Sequence, residues 1–221
     1  TLPAFAPIAL FADLDVLCAA PRPLIAAGFG DMLGKYTSLL DWVYGRETAG
    51  EPYDDEIAAL TRGALERCVD HAEAIGRGTE EGVRALMLSL IESGIALLRF
   101  GQSHPASGAE HHISHYWEMA FLREGRRQVL HGAKVGVACA IVADLYKRYA
   151  AEGRPLPGAC REMLAELPDG DELRRLLRIA GGPADPAGLG IGPELLNEAL
   201  RRAHTVRLNR HTLLRAINGG Q

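Results

Sequence analysis

The sequence predicts an all-α domain, and three observations carry that reading. Apolar residues recur at three-and-four spacing along much of the 221-residue chain, which is the period of a helix face and not of a strand. Aromatics make up only 6% while Ala, Leu, Gly and Arg abound, a balance that suits closely packed helices better than a sandwich of β-branched and aromatic residues. A hydrophobic content of 48% is enough for one substantial core.

The elements follow in order. Residues 7–17 open as a short apolar run and end in Asp13-Leu-Asp15, which reads as one strand entering a helix. Residues 23–27 read as a short helix broken at Gly28-Phe-Gly30, and a longer helix spans 31–46, so Asp31 is expected at a helix start. The stretches 54–76 and 79–101 have helical periodicity and glycine ends, and they read as two antiparallel helices joined by a tight turn. Ser107 and Glu110 form an S-x-x-E capping box that opens a helix through about Arg123. An Arg- and Gly-rich loop leads to an apolar helix from His131 to about Glu152, with small residues that permit close contact. Beyond Gly153 the chain is punctuated by prolines, with shorter helices near 157–166, 169–180, 193–203 and 209–218.

Composition excludes several classes of function. A net charge of -4 gives no basic field to draw the chain to nucleic acid or an anionic membrane, and the Arg174-Arg175 and Arg201-Arg202 pairs fall in amphipathic stretches as solvated helix faces. No apolar run reaches the roughly 18 residues of a membrane span, and residues 1–12 lack a basic leader. Cys18, Cys68, Cys139 and Cys160 form no C-x-x-C pair, so buried free thiols, no disulfide and a cytoplasmic location are expected.

Five of the eight histidines lie between residues 104 and 131. His111 and His115 are four apart on one helix, so their rings leave the same face, while His112 points about 100° away. His131 adds an imidazole at a second helix start, and Asp31, next to Gly30, adds a carboxylate. Two imidazoles and a carboxylate suit zinc, nickel or iron and leave coordination positions free for substrate oxygens. The competing reading of these histidines is polar or core-capping.

Three runs carry a resemblance: Ala27-Gly-Phe-Gly-Asp-Met-Leu-Gly-Lys-Tyr36, Ser107-Gly-Ala-Glu-His-His-Ile-Ser-His115 and His131-Gly-Ala-Lys-Val-Gly136. Together they resemble the C-terminal domain of the sn-glycerol-1-phosphate dehydrogenases, a branch of the group that contains glycerol dehydrogenase, iron-containing alcohol dehydrogenases and dehydroquinate synthase. The resemblance implies a dehydroquinate synthase-like helical domain over residues 21–221. Residues 1–20 would then be a strand and connector from an N-terminal nucleotide-binding domain missing from the chain. It places the metal ligands at Asp31, His111 and His131. In dehydroquinate synthase the first of these positions is Glu, so Asp31 favours the dehydrogenase branch.

The implied activity is NAD(P)-dependent interconversion of dihydroxyacetone phosphate and glycerol 1-phosphate, on one divalent metal, zinc first, with nickel or iron as alternatives. His115 is the candidate for proton relay or for orienting a substrate oxygen, with a hydrogen bond to a metal ligand as its other reading. Lys35, one turn after Asp31, is a candidate for contacting a phosphate or hydroxyl; Lys134 is a weaker one. Gly188-Leu-Gly190-Ile-Gly192 precedes Pro193 as a loop and does not make the strand-turn-helix of a nucleotide site. The chain alone is therefore expected to bind metal weakly and to transfer no hydride. Its implied partners are a small polyol or triose phosphate, the missing nucleotide domain and a second copy in a homodimer. The rival readings are a dehydroquinate synthase-like cyclase or lyase acting on a sugar phosphate, and a non-catalytic helical interaction module.

Overall fold

The structure, a computed structural model, describes residues 6–219. Residues 1–5 of the expected connector and residues 220–221 of the expected helical body lie outside the described residues. Among the described residues there is no strand, and the all-α expectation holds. The strand expected over 7–17 is replaced by irregular chain followed by a five-residue helix, α1 (Leu14–Cys18). Among the described residues nothing pairs with the apolar run, whose Ile8, Leu10 and Phe11 are exposed. The Asp-x-Asp motif instead caps the helix: the Asp13 carboxylate accepts from the Asp15 amide at 2.9 Å.

Helix α2 (Arg22–Leu33) starts behind Pro21, with Pro23 in its first turn, where a missing N–H costs nothing. It runs unbroken through Gly28 and Gly30, contrary to the expected break. Asp31 therefore sits in the last turn of α2, and only Gly34 separates it from α3 (Lys35–Ala49). The glycines serve close packing: a Cβ on Gly28 would press on Leu90 at 3.3 Å, and one on Gly30 would fall against the Gly132 carbonyl oxygen.

Next come α4 (Asp55–Asp70), capped by Asp54, a short α5 (Ala72–Arg77) after a break at His71, and α6 (Glu80–Phe100), capped by Thr79. Helices α4 and α6 pack along each other as the sequence suggests. Helix α7 (Ala109–Arg123) and helix α8 (His131–Ala151) follow, and then α9 (Gly158–Glu166), α10 (Gly170–Ile179), α11 (Pro193–Arg202) and α12 (Leu213–Ile217). The last is shorter than expected because residues 203–212 form a 3-10 turn and an irregular strap.

Helix α8 is the spine. Val135, Val137, Ala138, Cys139, Ala140, Val142 and Ala143 are buried on every side of it, as in a helix enclosed by its neighbours α2, α7 and α10. One buried carboxylate fastens three segments around it. Asp41, on α3, accepts from the first amides of α7 (Ala109, 2.7 Å) and α12 (Leu213, 2.8 Å) and from the Tyr146 hydroxyl of α8 (2.8 Å). The four cysteines are free, and no helix is long and apolar enough to cross a membrane among the described residues.

Candidate metal centre

Close approach of α2 and α8 assembles the site. A Cβ on Gly132 would strike the Ala27 carbonyl oxygen, and one on Gly136 would lie 2.9 Å from the Gly30 Cα, so neither position has room for a side chain. The last turn of α2 thus meets the first turn of α8, and Asp31 faces His131. Helix α7 supplies His111 from its first turn and His115 one turn on.

Asp31 Oδ1 lies 3.6 Å from His111 Nε2 and 3.6 Å from His131 Nε2. One ligand atom from each of the three side chains lies within 4.8 Å of the others. These gaps are long for hydrogen bonds but match two ligands of a shared ion: metal–ligand bonds of roughly 2.0–2.2 Å at a tetrahedral angle put ligand atoms about 3.4 Å apart. The donor set and its spacing fit a divalent cation. A second grouping, His115, Glu118 and His131, also has its ligand atoms within 4.8 Å. It shares His131 with the first, and the buried ammonium of Lys134 lies 3.6 Å from Glu118 Oε1.

The surroundings orient and charge the three groups. His111 Nδ1 lies 2.7 Å from Glu110 Oε1, so a proton held there leaves the Nε2 lone pair aimed at Asp31. Glu110 is fully buried and also accepts from the Gly108 amide and the Thr37 hydroxyl, both at 2.7 Å. Burial pushes its carboxyl up, but the His111 ring and these donors hold it below the ordinary range. For Asp31, too, burial acts upward and is overcome, by the Lys35 ammonium and then His111, so the carboxylate stays ionised. Burial, reinforced by His111, brings His131 down to about 4 against the pull of Asp31, which leaves it neutral and able to ligate near pH 7.

The remaining residues singled out in the sequence fall as follows. His115 borders the same cavity, its ring centroid 5.4 Å from that of His131, with Nδ1 3.2 Å from Glu118 Oε2. Lys35 borders the cavity too, but its ammonium donates to Asp31 Oδ2 (2.9 Å), the Asp31 carbonyl (3.1 Å) and the Ala106 carbonyl (3.4 Å). Those three bonds use all its protons, so it props Asp31 and has none to spare for a phosphate. His112 is fully buried on the other face of α7, and burial takes it down to about 3. His104 turns away to Glu51, 3.3 Å from Oε2.

The capping box is only half formed. The N-cap is Gly108, the Ser107 side chain makes no cap bond, and Glu110 reaches back to the Gly108 amide from the second helical position. The role of Glu110 toward His111 went unread, since adjacent residues on a helix do not ordinarily face each other. Its partner Thr37 lies 73 residues away, beyond the reach of any local pattern. Arg207, which lines the cavity from the strap, carried no sequence signal at all.

The cavity holds about 310 Å³, at the small end of ligand sites, and is walled by Leu90, Leu97, Ser93 and Ser103 beside Asp31 and His111 of the triad. Gly188–Gly192 forms a 3-10 turn and a left-handed Gly190 before α11, with no strand ahead of it, so these residues do not make a dinucleotide phosphate loop.

No family model matches the chain. Individual proteins do. It is 47% identical over 99% of its length to a protein of Geobacillus thermodenitrificans (strain NG80-2) named glycerol-1-phosphate dehydrogenase (NAD(P)+), and it spans 59% of that relative. Proteins of the same name in Bacillus velezensis (strain DSM 23117 / BGSC 10A6 / LMG 26770 / FZB42) and Pyrococcus horikoshii (strain ATCC 700860 / DSM 12428 / JCM 9974 / NBRC 100139 / OT-3) are 49% and 35% identical over 99% and 94% of the chain, which covers 57% and 53% of them. Over nearly its whole length the chain is homologous to proteins named glycerol-1-phosphate dehydrogenase, and it spans a little more than half of each of these relatives.

Proposed function

We propose that residues 21–221 form the metal- and substrate-binding body of an NAD(P)-dependent dehydrogenase that interconverts dihydroxyacetone phosphate and glycerol 1-phosphate, with one divalent ion on Asp31, His111 and His131. The observation that carries this reading is the convergence of the three ligand atoms beside a cavity of about 310 Å³. The names of the relatives supply the reaction.

A divalent ion at this site supplies Lewis acidity, polarising a substrate carbonyl or easing loss of the proton from the matching alcohol. Two imidazoles and a carboxylate favour zinc and also accept iron or nickel. The rest falls to side chains of the chain. Lys35 holds the Asp31 carboxylate, Glu110 holds the His111 ring, and Leu90 and Leu97 keep one wall of the cavity apolar. His115, steadied at Nδ1 by Glu118, borders the cavity and is placed to hold a proton next to a substrate oxygen. Hydride chemistry belongs to the nicotinamide, bound by a nucleotide domain that residues 1–20 join to this body.

Metal analysis of the purified protein is the test. In the full natural protein, wild type is expected to hold about one ion per chain, and Asp31→Ala and His131→Ala to lose it while keeping their helical circular dichroism. Unchanged metal content in both variants would contradict the site.

A further inference from the structure

We infer that Arg207 is the anchor for the phosphoryl group of the substrate, an inference that rests on the proposed reaction and assigns a specificity residue to it. The cavity beside the metal ligands is bordered by two cationic side chains, Lys35 and Arg207. Lys35 is committed: its ammonium is hydrogen-bonded to three oxygens, two of them on Asp31. Lys134 is buried outside the lining and faces Glu118. Arg207 is different. Among the described residues the one hydrogen bond of its side chain runs from Nη1 to the Ser103 hydroxyl at 3.3 Å, and no carboxylate lies within ion-pairing distance. A guanidinium has five N–H donors in a planar fork, so most of its capacity is free in the site.

A half-buried guanidinium without a carboxylate beside a small cavity suits a phosphate monoester, which offers several acceptor oxygens and about two negative charges. Its place also fits. Arg207 and His115 border both the inner cavity and a larger outer one of about 810 Å³, which includes Met119, Leu122 and Leu208. A phosphate held there lies at the mouth, while the three-carbon end of the molecule reaches inward to Asp31 and His111. Ser103, already held by Arg207, adds a hydroxyl at the same end. The alternative source of phosphate is the pyrophosphate of the dinucleotide. The shared inner cavity favours the substrate.

The test uses the full natural protein, loaded with zinc, and compares wild type with Arg207→Gln and Arg207→Lys. Binding of glycerol 1-phosphate, glycerol and NAD is measured by titration calorimetry or ligand-observed NMR, with zinc content determined on the same samples. Arg207→Gln is expected to weaken glycerol 1-phosphate on the order of 10- to 100-fold, the loss of a charge-assisted pair, and to leave glycerol, NAD and zinc unchanged. Arg207→Lys should recover part of the loss. Unchanged affinity for glycerol 1-phosphate, equal weakening of glycerol, or a loss confined to NAD would each overturn the assignment. Failure of wild type to hold zinc would count against the metal centre instead, since phosphate affinity is read separately.

Discussion

Glu110 joins three parts of the molecule through one carboxylate: it closes the start of α7, bonds Thr37 on α3 and fixes the ring of His111. Removing its charge while keeping its shape should loosen the ligand without opening a cavity. Glu110→Gln is expected to lower zinc affinity about 10- to 100-fold, measured by competition with a chelator, with little change in helical content. Equal affinity in the variant would mean that the ring of His111 is oriented by something else. At this scale the residues with a local pattern were readable: His111 and His115 share a face because they are four apart, and His112 is set aside by the same phase. The supports were not. Lys35 suggests a phosphate ligand in sequence, but its position one turn after Asp31 brings its ammonium onto that carboxylate.

Among the elements, the contact of α2 with α8 governs the site. Gly30, Gly132 and Gly136 let the two backbones touch, and that contact carries Asp31 to His131. Gly132→Ala would drive a methyl group into the Ala27 carbonyl oxygen, which only backbone movement can relieve. We expect a loss of about 1–3 kcal/mol in denaturant unfolding and weaker zinc binding in the same variant. Alanine at Gly63, which has open space around it on α4, serves as the control and should be neutral or slightly stabilising. Wild-type stability and metal affinity in Gly132→Ala would show that the close contact is not needed. Most helices were readable from apolar period and capping residues, α7 and α8 to within two residues. The break expected at Gly28 and Gly30 fails for a physical reason. Glycine is a weak helix former in isolation, but here its missing side chain is what the packing of α2 requires.

In the whole molecule, the chain closes on itself through Glu51. This carboxylate, in the loop after α3, accepts from the amide of His211 at 2.7 Å and lies within 3.6 Å of Nε of the buried Arg210, so it ties the C-terminal strap that carries Arg207 to the front of the molecule. Burial pushes Glu51 up, but hydrogen bonds from His104 and His211 and the charge of Arg210 bring it down to about 2, from 4.5. A carboxyl depressed by folding stabilises the protein fully above its unfolded value and loses that contribution as pH falls through the folded one. Stability should therefore decline between about pH 4.5 and 2, and Glu51→Gln should flatten that part of the profile in urea titrations at fixed pH. An identical acid slope in the variant would remove Glu51 from the account. None of this closure was visible in sequence, because Glu51 and His211 are 160 residues apart. The central claim remains the ion between α2, α7 and α8. Anomalous diffraction at the zinc edge from crystals of the zinc-loaded protein tests it most directly. One peak is expected, roughly 2.0–2.2 Å from Asp31 Oδ1 and the Nε2 atoms of His111 and His131. A peak bound instead by His115 and Glu118, or no peak at the triad, would contradict the account.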